Sequence, residues 1–152
     1  MTLEEAIKST RFKDSRHKAT LNILYTSYWL KAHLSSRMKE QGLTSEQFNV
    51  MRILKGKYPE QMCVKDIAGR MIEKSSNVPR IIDRLVLKKL VKRSTSKEDK
   101  RETLISLTEK GAETLETLSR IVNEINDEVL GINEKEAELL NELLEKLRKI
   151  DL

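Results

Sequence analysis

Residues 63–108, CVKDIAGRMIEKSSNVPRIIDRLVLKKLVKRSTSKEDKRETLISLT, decide the fold. Ile67, Ala68 and Met71 recur at helical spacing and predict a short helix over 64–72. Cys63 stands where an N-cap Ser or Thr is expected, and Gly69 in mid-helix suggests that another helix passes close by. A second helix is predicted from Ser75–Ser76 to about Leu90, with Ile81, Ile82, Leu85, Val86 and Leu90 inward. Pro79 places its start, because a residue without an N–H is tolerated only in the first turn. With Ser76 as N-cap, Pro79 falls at the third helical position. Val91–Ser96 and Glu102–Leu107 alternate as strands around a charged tip, Lys97-Glu98-Asp99-Lys100-Arg101. A helix, a turn, a more basic helix and a charged hairpin are, in that order, a winged helix-turn-helix.

The flanks read as helices. Thr2 and Glu5 form a capping box for a short helix over 2–9. Residues 13–41 predict a long helix, with Gly42 as its C′ residue. Its apolar side chains lie on two faces: Leu21, Leu24, Tyr25, Tyr28 and Ala32 on one, and Ile23, Leu30, Leu34 and Met38 on the other. Such a helix belongs between two bodies. Leu43, Thr44, Gln47 and Phe48 combine a capping box with a hydrophobic staple and start a helix over 44–56, with Phe48, Met51, Ile53 and Leu54 facing the core. Thr108 N-caps a helix over 109–130 whose Leu115, Leu118, Val122, Ile125 and Val129 form one stripe. Asn133 and Glu136 start a last helix over 134–150, striped by Leu140, Leu143, Leu144, Leu147 and Ile150. With no further core to cover, these stripes need the long helix and a second copy of the chain. The expected fold class is therefore mainly α with a small β-hairpin wing: a winged helix-turn-helix at 43–108 and an α-helical dimerisation region from 1–42 and 109–152.

Charge follows the same division. Residues 1–60 hold 11 Lys/Arg against 6 Asp/Glu, 61–110 hold 13 against 7, and 111–152 hold 5 against 11. A basic middle and an acidic tail suggest one face for a polyanion and another for something else. No apolar run approaches the ~18 residues of a membrane span. MTLEEAIKST has acids early and no apolar h-region, so it does not read as a secretory signal. A single Cys excludes an intramolecular disulfide framework and fits a reducing compartment, so the expected location is the cytoplasm. Catalysis has little to work with: no clustered carboxylates, and His17 and His33 about 24 Å apart along one predicted helix. No catalytic residue, metal or cofactor is expected.

The chemistry points to double-stranded DNA. A helix fits the major groove and offers its N-terminal residues to base edges, where Asn pairs bidentately with adenine and Arg with guanine. Asn77 and Arg80 are therefore the candidates for base reading. Lys74, Ser75, Ser76 and Arg84 are expected on phosphates, helped by the partial positive charge of the helix N-terminus. Arg101 suits a narrow A·T-rich minor groove, and Lys97 and Lys100 suit phosphates. Asp99 cannot favour DNA by charge and is expected to hold Arg101 and the turn. Tyr25, Tyr28, Trp29 and His33 gather on the long helix, either as core and interface packing or as the lining of an effector pocket.

These residues carry a resemblance. GLTSEQFNVMRIL (42–54), KDIAGRM (65–71), SSNVPRIIDRLVLKKLVKR (75–93), the Asp99-Lys100-Arg101 tip and SLTEKG (106–111) are similar to the MarR family of transcriptional regulators, over roughly residues 12–150. The resemblance implies a homodimer, built by the first and last two helices, with its two winged helices on successive major grooves of a pseudo-palindromic operator. It implies DNA contacts at Ser76, Asn77, Arg80 and Arg101. It also implies a repressor released by a small phenolic or lipophilic anion bound between the dimerisation and DNA-binding parts. The chain departs from the pattern at Pro79, where a polar residue is common, at Ile72-Glu73, which lacks a frequent turn glycine, and at Cys63. A helix N-terminus lowers thiol pKa, so a redox sensor at Cys63 is one alternative, although a lone cysteine there is more often a small packed residue. A helical adaptor that keeps the fold without binding DNA is the other, and Arg80, Arg84, Lys97, Lys100 and Arg101 speak against it.

Overall fold

A computed structural model of the chain describes residues 1–129 and 131–148. In chain order it has α1 (Leu3–Ile7), α2 (Ser15–Glu40), α3 (Ser45–Lys55), β1 (Met62–Cys63), α4 (Val64–Arg70), α5 (Val78–Leu87), β2 (Val91–Thr95), β3 (Thr103–Leu107), α6 (Glu109–Val129) and α7 (Glu134–Leu147). The expected positions Leu130 and Ile150, and the side chain of Val129, lie outside the described residues.

Short side chains at the helix starts explain most of these boundaries. Thr2, Thr44 and Asn133 each accept a backbone N–H three residues on, while Glu5, Gln47 and Glu136 reach back to the cap N–H, completing three capping boxes. Asp14, which the sequence reading did not single out, caps α2 through His17 N–H. Gly42 follows α2 with φ +69°, and Leu43 N–H reaches back to Met38 C=O. The recognition helix α5 ends earlier than expected, at Leu87 rather than Leu90. Lys89 takes φ +60°, and Lys89 and Leu90 donate to Val86 and Leu85 C=O. That is the same closing motif with lysine in place of glycine, and its reward is the burial of Leu90.

The sheet has the order β1-β3-β2 and is antiparallel throughout. Val91 faces Leu107 and Thr95 faces Thr103, so the wing register matches the alternation in the sequence. β1 was not expected. Two residues are too short for any period-2 signal, yet Met62 and Cys63 pair with Ile105 and Leu104 and fasten the wing to the start of α4.

One buried cluster organises the chain. Val50, Met51 and Leu54 of α3, Ile67 of α4, Ile82 and Leu85 of α5 and Ile105 of β3 are at most 1% exposed. Met38 of α2 and Leu115 and Leu118 of α6 join the same cluster. The core therefore crosses both ends of 43–108: the end of α2 and the first half of α6 are fused to the winged helix. Phe48 and Ile53 pack against it only partly buried, and Val50, not singled out from the sequence, is fully buried.

Gly69 does not play the part expected of it. An added Cβ there would meet nothing within 4 Å, so no helix passes close. The close approach falls instead at Gly111, where a Cβ would sit 2.0 Å from Leu90 C=O. The outer helices leave apolar surface uncovered. Of α2 only Met38 is buried, while Leu24 and Tyr28 are 62% and 71% exposed. Leu139, Leu140, Leu143 and Leu147 of α7 are all exposed.

Candidate DNA-binding surface

The leading end of α5 begins one residue later than the sequence suggested. Asn77, not Ser76, is the N-cap, and Pro79 is the second helical residue rather than the third. The physical reason is that the carboxamide of Asn77 finds Arg80 N–H three residues on, at 3.3 Å, whereas Ser76 has Pro79, with no N–H, at the same distance along the chain. Every first-turn donor is then spent within the chain. Val78 N–H bonds Ser76 C=O, Pro79 has none, Arg80 N–H bonds Asn77 Oδ1, and Ile81 N–H bonds Asn77 C=O. Hydrogen bonds from the first turn of α5 to DNA must come from side chains.

Those side chains are well placed. Lys74, Ser75, Asn77, Arg80 and Arg84 are exposed, and Ser76 is half-buried. Among the described residues, neither Arg80 nor Arg84 forms an ion pair. Asp83 on the same helix is occupied by Arg93 of β2 and does not quench them. The turn before the helix is held from three sides. Asn49 of α3 accepts Ile72 N–H at 3.0 Å, Glu73 pairs with Lys31 of α2 at 2.9 Å, and Lys74 Nζ donates to Gly69 C=O at 2.6 Å. Lys74 is thus partly committed to the turn. Asn49 was invisible in the sequence, since nothing local marks one polar residue of an amphipathic helix as the clamp of a distant turn.

At the wing tip, two acceptors do the shaping. Ser96, 7% exposed, accepts the N–H groups of Glu98 and Asp99, each at 3.3 Å. Asp99 Oδ1 accepts Arg101 N–H at 2.9 Å. Asp99 therefore holds the backbone of the turn rather than the guanidinium. Lys97, Lys100 and Arg101 are exposed and, among the described residues, unpaired. A rigid backbone with free cations at its tip suits insertion beside phosphates.

Two clefts open on the chain, and one of them adjoins this surface. The larger, about 740 Å³, lies between the end of α2, the start of α3 and the flank of α5. Lys39, Arg80, Arg84 and Lys88 give it four cations against Glu46 and Glu73, and Ser76 and Asn77 reach its edge. The smaller, about 310 Å³, is closed by residues 1–3 over Asn22, Tyr25, Thr26 and Trp29 of α2. Of the four residues expected to line an effector pocket, Tyr25 and Trp29 line this cleft; Tyr28 and His33 do not. His33 stacks on Trp29 with centroids 4.5 Å apart and faces Trp29 C=O at 3.0 Å. The flap over the cleft is tied by Lys18 to Glu4, whose carboxyl is held below the usual range chiefly by that hydrogen bond. The tie is therefore lost at a lower pH than an unpaired glutamate would give.

Cys63 is half-buried and caps α4 by accepting Asp66 N–H at 3.4 Å, the task of the hydroxyl it replaces. Among the described residues, no group of three or more His, Cys, Asp or Glu is placed to hold a metal ion.

A helix-turn-helix with a basic recognition helix and a basic hairpin beside it defines a winged-helix DNA-binding protein. The family model described as transcriptional regulator SarA/Rot matches residues 32–118, and the chain belongs to that family. It is a transcriptional regulator, not an enzyme, and carries a winged-helix fold. Among curated relatives, the HTH-type transcriptional regulator MhqR of Bacillus subtilis (strain 168) is 28% identical over 118 residues, 76% of this chain and 79% of MhqR. A MarR-like transcription regulator from Bacillus cereus ATCC 10987 superposes with a TM-score of 0.77 at 23% identity, over 89% of this chain and 96% of that one. MepR of S. aureus, solved in complex with DNA, gives 0.75 at 22%, over 90% and 97%.

Proposed function

We propose that two copies of this chain form a homodimer that binds a pseudo-palindromic operator and represses transcription until a small anion occupies the basic cleft. The observation that carries this reading is the recognition helix itself: its backbone donors are all satisfied internally while Arg80 and Arg84 stand exposed and unpaired beside it. In this reading Arg80 and Asn77 meet base edges, and Lys74, Ser75, Ser76, Arg84, Lys97 and Lys100 meet phosphates. Arg101 enters the minor groove and Asp99 shapes the tip. The direct test is selection of duplex sequences by the purified chain, with half-sites expected about 10 base pairs apart, centre to centre.

Dimerisation through the regions 1–42 and 109–152 is supported by the leucines left exposed on α7 and by Leu24 and Tyr28 on α2. Leu143→Glu places a charge in the middle of that stripe. The variant is expected to fold, because Leu143 is 55% exposed in the single chain, and to fall to the 17.6 kDa mass of one chain in light scattering. A dimer that survives this change uses another face.

The larger cleft supports repression relieved by an anion, because Arg80 and Arg84 line it and also serve DNA in this reading. An aromatic carboxylate there competes for the same charges. Lys39 lines the cleft from α2, away from the recognition helix. Lys39→Ala is expected to weaken binding of benzoate, used as probe, by about tenfold, the scale of a charge-assisted hydrogen bond, and to leave DNA affinity without benzoate unchanged. Equal loss of both would place Lys39 on DNA and remove the effector reading of this cleft.

A further inference from the structure

We propose that Asn77 specifies guanine in a G·C base pair, and not the adenine that an Asn carboxamide usually selects. The assignment rests on the DNA reading above and deepens it. A free Asn pairs with adenine by offering Nδ2–H to N7 and accepting N6–H at Oδ1. In this chain Oδ1 is turned back into the helix, where it accepts Arg80 N–H at 3.3 Å. That orientation is dictated by chemistry: the group facing Oδ1 is a backbone N–H, so an NH₂ in its place would set donor against donor. Flipping the amide to serve adenine would leave Arg80 N–H without a partner. Oδ1 has no other donor within the first turn, because Val78 N–H is engaged by Ser76 C=O and Pro79 has no N–H. Asn77 is exposed and also lines the basic cleft, so with one lone pair of Oδ1 spent on Arg80 N–H its outward end is led by the NH₂ and its two hydrogens.

The major-groove edges decide what such a group reads. Guanine shows two adjacent acceptors, N7 and O6. An A·T pair sets the adenine N6 amino group between its two acceptors, N7 of adenine and O4 of thymine. A tip led by its two donors matches the first and meets a like donor in the second.

The test is duplex selection with the intact protein and with Asn77→Ser, which keeps a capping oxygen but loses the NH₂. The wild type is expected to enrich G·C at one position in each half-site. Asn77→Ser is expected to relax that position alone, by about three- to tenfold, the scale of one neutral hydrogen bond. Replacing the guanine by 7-deazaguanine, which keeps base pairing and removes N7, is expected to weaken the wild type by a similar factor, and this arm requires no variant to fold. Enrichment of A·T at the position that Asn77→Ser relaxes overturns the assignment. So does a variant that relaxes no position, or indifference of the wild type to 7-deazaguanine. If the wild type enriches no sequence at all, the DNA reading fails first and the assignment falls with it.

Discussion

Gly111→Ala is expected to destabilise the protein by about 3–5 kcal/mol, because the new methyl cannot be housed without moving backbone. The added Cβ would lie 2.0 Å from the oxygen and 2.9 Å from the carbon of Leu90 C=O, with a Leu107 methyl at 3.2 Å. That carbonyl is fixed from both sides. Thr108 N–H donates to it at 3.1 Å, and Thr108 Oγ1, which caps α6 by accepting Gly111 N–H at 2.9 Å, also donates to it at 3.2 Å. Gly111 is therefore where α6 docks on the end of the recognition helix, and the clash would be felt at the junction of winged helix and long helix. Thermal unfolding should show a melting temperature lower by about 10 °C or more. Gly69→Ala is the control. It has open space and a helical environment, so a small gain of about 0.5–1 kcal/mol is expected. If both variants behave alike, the close packing at Gly111 is wrong.

Arg101→Ala carries the second large effect, on DNA rather than stability. Arg101 is exposed, and its backbone N–H, not its guanidinium, is the group that Asp99 engages. Removing the side chain should leave the turn intact, since Ser96 and Asp99 still accept the tip N–H groups. The expected loss in DNA affinity is about 1–3 kcal/mol, largest where the duplex beneath the wing is A·T-rich and its minor groove narrow. A variant that binds like the parent at A·T-rich and G·C-rich wing sites alike would remove Arg101 from the interface.

The sequence was legible where chemistry is local. Thr44 with Gln47, Asn133 with Glu136 and Thr2 with Glu5 announce helix starts within four residues, and the structure keeps all three. The wing register follows from alternation that a one-residue slip would invert. What escaped depends on groups distant in sequence. Gly69 and Gly111 look alike as glycines in helices, and only the path of Leu90 decides which of them is crowded. The basic cleft joins Lys39 of α2 to Arg84 of α5 and its C-cap Lys88, about a third of the chain apart, and no periodicity marks that meeting. The candidate DNA residues were readable because they are short polar groups and cations at one helix start and one hairpin tip. Asn49 and Ser96, which hold the turn and the tip in shape, were not.

In the proposed reading, free cations on α5 and the wing neutralise DNA phosphates from two copies of the chain. The most direct measurement is the affinity of the dimer for its selected duplex across a range of salt concentration. With 6–10 phosphates neutralised, the logarithm of the association constant should fall with the logarithm of salt at a slope of roughly −5 to −9. Affinity that barely changes with salt, or a slope near −1, would contradict it.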